Sequence, residues 1–202
     1  MTSIHKSFLV SLAAFLGISI IMQVISEAVA GTLMDIADDP FSVVAWLFQG
    51  ILYNFFFATA GLSSSIFSLV DAVGTGGDIM LGLSGMVSGL GFFLAPLVAA
   101  ILAGVMADSK VDAFFGWLLT LIVSWLVWSI FFIIGDLELV DVGSAYSVYY
   151  SNASIYGSFF LGSFTLTDPA FWIFMILMLC VTLVTSVSWG VFPLTMQKET
   201  FY

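Results

Sequence analysis

Residues 113–135 carry no charged side chain, and four other stretches of the chain are nearly as apolar. The continuous apolar runs lie at about 8–30, 41–73, 79–107, 113–134 and 169–193. About 20 such residues, wound as a helix, cross a hydrocarbon core about 30 Å thick. A backbone in lipid must satisfy its own hydrogen bonds, which leaves helices and closed barrels. These runs lack the apolar–polar alternation of barrel strands. The pattern predicts an all-α polytopic integral membrane protein, with residues 1–202 forming a single transmembrane helical domain.

The charge balance narrows the partners. Only 8% of the residues are charged, against roughly 25% in soluble domains. Thirteen acids face three lysines and no arginine, for a net charge of -10. A nucleic-acid surface needs clustered cations, as does a polybasic lipid patch, and the composition excludes both. The lipid bilayer is the expected partner, together with other membrane-protein subunits or a second copy of the chain. His5 is the only histidine and precedes the first run, which argues against haem or a His-based metal site. The sequence holds no Walker, GxGxxG, HExxH or GxSxG pattern. No cofactor, no metal and no catalytic residues are therefore expected. Cys180 stands alone inside an apolar run, which predicts a buried, inert thiol.

The N-terminal run imitates a signal peptide ending at Ala28-Val29-Ala30. It is longer than a usual signal core and Glu27 sits at the would-be cleavage point, so a retained first span is expected. Helix starts are marked by Asp39-Pro40 and Asp168-Pro169, with Asp78 and Asp112 as further N-caps.

The number of spans turns on the run at 41–73, which is long for one upright helix and short for two. Cytoplasmic loops favour lysine and arginine. If Lys6, Lys110 and Lys198 all lie inside, an even number of crossings separates each pair. Splitting the run at 59–65 (TAGLSSS) meets that condition and gives a bundle of six transmembrane helices. The third would be short, needing a thinned bilayer or a re-entrant shape. The alternative is five, with 46–73 as one tilted helix kinked at Gly61 and Lys6 outside. Both place Lys110 and Lys198 in the cytoplasm and loop 135–168 outside it. That loop is rich in Tyr, Ser and Phe, and its two β-prone runs flank Asn152-Ala153-Ser154, a glycosylation sequon. It is expected to form a small extracytoplasmic cap, either a β-hairpin or a compact loop.

Two groups of residues bear on function. Gly85 and Gly89 form a GxxxG, and Ala95, Ala99 and Ala103 recur every four residues, with Gly104 adjacent. Such a smooth face lets a second backbone approach closely, which drives helix association in lipid. Packing inside the bundle is the first expectation for it, and docking of another subunit the second. Pro96 is expected to bend this helix. The other group is polar: Gln23, Glu27, Asn54 and Asp71 fall within apolar runs, where polar groups tend to mark function. Ser19, Gln23 and Glu27 are spaced as one helical stripe, with Ser26 alongside. Glu27 and Asp71 fall near Asp35, Asp38 and Asp39 in the six-span reading, where an acidic rim or a weak cation site is conceivable. Trp117, Trp125, Trp128, Trp172 and Trp189 are read as interfacial anchors.

These observations favour a non-catalytic accessory or structural subunit of a membrane complex, packing through its small-residue and aromatic helix faces. The alternative is a small transporter or substrate-binding component with a midplane polar site. Six short helices in a chain of this length resemble, in architecture alone, the substrate-capture subunits of energy-coupling-factor vitamin transporters.

Overall fold

A computed structural model describes residues 3–30, 83–135 and 169–197, with positions 43, 47, 51, 52, 54, 55, 58, 59, 61, 62, 65, 66 and 70 between them. The described residues are all-helical, without strands. Four continuous helices carry the fold: α1 (Ser3–Ala30), α2 (Leu83–Met106), α3 (Lys110–Gly135) and α4 (Pro169–Met196). The described positions between 43 and 70 are helical on both sides of Gly61, which is not. Asp35, Asp38, Asp39, Trp46, Asp71, Asp78, Lys198 and the expected cap at 136–168 lie outside the described residues. The stretches Ser3–Ser26 of α1 and Lys110–Ile130 of α3 are long and apolar enough to cross a membrane.

The helix boundaries follow local chemistry. α4 starts at Pro169, as its fixed φ and missing N–H allow. α3 starts differently from expectation. Its cap is Ser109, whose hydroxyl accepts the Asp112 N–H at 3.1 Å. Asp112 is therefore not the N-cap; it sits in the first turn, where its carboxylate faces the positive end of the helix dipole. α2 runs through Pro96 as one helix.

Residues 107–109 join α2 to α3, and this short link is the knot of the fold. The Asp108 N–H donates to the Ser3 hydroxyl at 2.7 Å, and the Gln197 side-chain amide donates to the Asp108 carbonyl at 3.1 Å. The start of α1, the α2–α3 link and the end of α4 thus meet at one end, with exposed Lys6 and Lys110 beside them. α1 packs most extensively on α2 and also on α3; α4 packs on α2 and α3. Glycines allow the closest approaches. A Cβ on Gly104 would meet the Pro193 Cα of α4 at 2.7 Å, and one on Gly116 the Ser7 Cβ of α1 at 2.6 Å.

Small and hydroxyl-bearing residues share the interior with an aromatic core, while many large aliphatic residues face outward. Ala95, Ala99, Ala100 and Ala103 are fully buried, and so are Ser7, Ser11, Ser19, Thr120, Ser124 and Thr182. Large aliphatic side chains point outward: Ile176 is 62% exposed, Val187 64% and Val184 71%. Cys180 lies on this outward face of α4 and is exposed, which corrects the expectation of a buried thiol. Apolar side chains occupy both the outside and the core, so apolar character alone does not signal burial here. Trp117, Trp128 and Trp189 are likewise core residues rather than interfacial anchors, whereas Trp172 is 52% exposed.

The inward row of α1 is Ser7, Ser11, Phe15, Ser19 and Ser26, with Gln23 half-buried at its edge. Its hydroxyls are not equivalent. Ser7 donates to the Ala103 carbonyl at 2.8 Å, one of the last four carbonyls of α2, which lack an intrahelical donor. The buried Ser11 and Ser19 hydroxyls have no hydrogen-bond partner among the described residues. Ser7→Ala should therefore cost about 1–2 kcal/mol, while Ser19→Ala should be neutral or stabilise by up to about 1 kcal/mol. Thermal unfolding of the two purified variants in detergent checks this. Equal midpoints would contradict the assignment.

Candidate functional site

Among the described residues, the glycine at positive φ is Gly61, with φ +99°. Side chains rarely adopt that backbone conformation, and glycine does so without a steric cost. The Gly61 N–H returns to the Ala58 carbonyl at 3.2 Å, as at the glycine of a Schellman-type helix end. A new helical turn follows at once, with the Ser65 N–H donating to the Gly61 carbonyl at 3.2 Å. The chain is helix, break and helix within a few residues.

α4 satisfies the groups that the break frees. The Trp189 indole N–H donates to the Ala58 carbonyl at 3.2 Å, and the Thr185 hydroxyl donates to the Thr59 carbonyl at 2.8 Å. The Ser188 hydroxyl accepts the Leu62 N–H at 3.4 Å. These three side chains are spaced i, i+3 and i+4, which sets them on one face of α4. Van der Waals contact completes the seat, because a Cβ on Gly61 would lie 2.9 Å from both Cβ and Cγ2 of Thr185.

The break lies deep in the bundle. At 1.5 Å per residue, Thr185 is about 17 Å along α4 from Met196, the end at which the three segments are knotted. Aromatic rings fix Trp189 there. Its centroid is 6.2 Å from Trp117, 6.3 Å from Phe93 and 6.0 Å from Phe192, and Trp117 meets it edge-on. Such tilted and T-shaped pairs add directional attraction to simple burial.

Of the polar candidates, Asn54 is the one placed near the break. It is 3% exposed, one helical turn before Ala58, and its Oδ1 lies 3.8 Å from where a Cβ on Gly91 would stand. Phe55, beside it, pairs with Phe15 of α1 at 5.0 Å. Gln23 is half-buried on α1. The Glu27 side chain and Asp71 lie outside what is described. Of the packing candidates, Ala95, Ala99 and Ala103 are buried within the chain and Gly104 faces α4. Gly85 and Gly89 are in α2, their surroundings undescribed.

Thr185 and Ser188 escaped the reading of the sequence, and Trp189 was given a different role. Nothing in α4 itself marks them as partners of a distant glycine. The available clue was joint: a Thr, Ser and Trp on one helix face, and a TAGLSSS interruption elsewhere that needed donors.

The chemistry of this place is neutral. Residues 41–70, 79–107, 113–135 and 169–197 carry no charged side chain. Hydroxyls, an amide, indole N–H groups and backbone carbonyls can bind and orient an uncharged hydrogen-bonding group. They supply no group that titrates near neutral pH for acid–base work. No family model, no curated protein and no solved structure matches this chain.

Proposed function

We propose that the chain is a multi-pass integral membrane protein with a non-catalytic role, and that it works as a small transporter or substrate-binding component centred on the break at Gly61. The observation that carries this reading is the break itself, deep in the bundle and held by Thr185, Ser188 and Trp189. Irregular backbone at membrane depth is tolerated only where protein or a polar cavity covers it, and interrupted helices recur at the binding sites of secondary transporters. The outward aliphatic faces of α3 and α4 support the membrane setting. Lys6 and Lys110 at one end of the bundle, with Lys198 next after Gln197, support a shared cytoplasmic side. Loop 136–168 joins the opposite ends of α3 and α4, in keeping with an extracytoplasmic place.

An accessory or structural subunit is the second reading. What favours it is the unbroken apolar face of α4 through Ile173, Ile176, Leu177, Val184, Val187 and Val191. Ala95, Ala99 and Ala103 of α2 do not serve it, because they are already covered within the chain.

A binding site must be reached by water from at least one side. In a Cys180→Ser background, Ala58→Cys or Leu62→Cys protein in sealed vesicles should react with a membrane-impermeant maleimide added on one side. Protection of both positions from both sides would leave the break as a packing turn and sink the transport reading.

A further inference from the structure

The three hydrogen bonds between the break and α4 share a property that ordinary packing contacts lack. Each has a substitute partner within its own segment. The Thr185 hydroxyl, which donates to Thr59, also lies 3.2 Å from the carbonyl of Thr182 in its own helix. The Ser188 hydroxyl donates to the Thr185 carbonyl whether or not it accepts from Leu62. The Ala58 carbonyl accepts the Gly61 N–H as well as the Trp189 indole. Serine and threonine on helices readily bond back to carbonyls three or four residues earlier. Separating the break from α4 therefore leaves one member of each of the three pairs with a partner, and the Trp189 indole and the Leu62 N–H bear most of the loss. Buried polar groups that lose every partner would resist such a movement far more strongly.

We propose that Gly61 is a hinge and that α4 latches it through Thr185 and Trp189, so that the helical pieces on either side of Gly61 have a latched and a released position. The pivot residue has the freedom this requires, since glycine adopts positive and negative φ alike. In the latched position the Thr185 methyl fills the space beside Gly61, and the ring cluster around Trp189 fixes the donor that holds Ala58. As the mechanism of a transporter this rests on the reading above, for release would alternate access to the break; as a property of the fold it stands alone. Neutral donors and acceptors on both sides make the latch insensitive to pH over the range where carboxylates and histidine titrate.

The test uses the full chain with Cys180→Ser and a reporter, Ser65→Cys, at a position fully buried in the latched form. The rate of modification by a small maleimide is measured in detergent and in vesicles. Thr185→Val keeps the shape of the side chain and removes its hydroxyl; Trp189→Phe removes the indole donor. Either should raise the rate at position 65 about five- to thirty-fold, the population change that follows from losing one or two hydrogen bonds. A second reporter, Ser124→Cys on α3, is also fully buried and should stay slow in both variants. Unchanged rates at position 65 in both variants would overturn the latch, and so would equal acceleration at both reporters, which means general loosening. If one variant does not fold, the other decides. If Ala58→Cys and Leu62→Cys are protected from both sides, yet Thr185→Val frees position 65, the latch holds and the transport reading fails.

Discussion

Gly104→Ala is expected to lower the unfolding midpoint of the purified protein more than a methyl added elsewhere on α1 or α2. The new Cβ would stand 2.7 Å from the Pro193 Cα and 2.9 Å from its carbonyl carbon. Both are backbone atoms of α4, and the pyrrolidine ring fixes the proline φ, so neither can rotate aside. The two helices must separate at this level. That movement also pulls on the bond from Gln197 to the Asp108 carbonyl, about one turn further along both helices. Overpacking of this kind costs about 1–3 kcal/mol, and the upper part of that range applies where the obstacle is main chain. Gly17→Ala is the matched control. Nothing lies within 4 Å of its Cβ position, so the substitution should stabilise α1 by up to about 1 kcal/mol through helix propensity. Gly91→Ala falls between them, because its Cβ would meet the Met22 Cβ at 3.0 Å, which α1 can relieve by giving a few tenths of an ångström. Equal midpoints for the variants at 104 and 17 would mean that α2 and α4 do not touch through backbone.

How much of this arrangement was legible depends on which residues are considered. The helical class and the start at Pro169 follow from apolar length and from proline chemistry. The interruption in the 41–73 run was readable at Gly61, because glycine is the residue that reverses φ without penalty. Whether the pieces on either side make two spans or one kinked span depends on residues outside those described. The ladder of Ala95, Ala99 and Ala103 was legible as a packing face, since few other contacts suit such small side chains. The stripe on α1 was phased less well. Successive steps of four residues drift by about 40° on a helix, so Gln23 falls at the edge of the row through Ser19, whereas Ser26, seven residues on, returns to it. Cys180 was misplaced because an apolar run need not be buried in a chain that turns many aliphatic side chains outward. Trp117, Trp128 and Trp189 were misplaced in the opposite sense, since tryptophan suits a buried core as well as an interface. The N-cap of α3 was misjudged for a different reason, as Ser109 and Asp112 are both competent caps and only the hydrogen bond distinguishes them.

Gly61→Ala should be the most damaging single-methyl addition in the broken segment, because two independent costs add. The first is in the backbone. A residue with a Cβ held at φ +99° carries strain of about 1–3 kcal/mol. The second is in the packing. The methyl would press on both Cβ and Cγ2 of Thr185 at 2.9 Å, an overpacking term again of about 1–3 kcal/mol. The expected sum is about 2–6 kcal/mol, visible as a lowered midpoint in detergent and poor recovery from membranes. Thr185→Ser separates the two terms, since it removes Cγ2 and keeps the hydroxyl that binds Thr59. Combined with Gly61→Ala it should recover part of the loss, the coupling expected of residues in contact, and leave the backbone strain untouched. The damage should also take a particular form. An alanine at 61 favours negative φ, which would carry the helix straight through the position and withdraw the carbonyls of Ala58 and Thr59 from Trp189 and Thr185. The Ser65→Cys reporter should then react faster even where the protein remains folded. A midpoint and a reaction rate both equal to those of the parent would mean that position 61 is not held at positive φ, and the proposed hinge would lose its pivot.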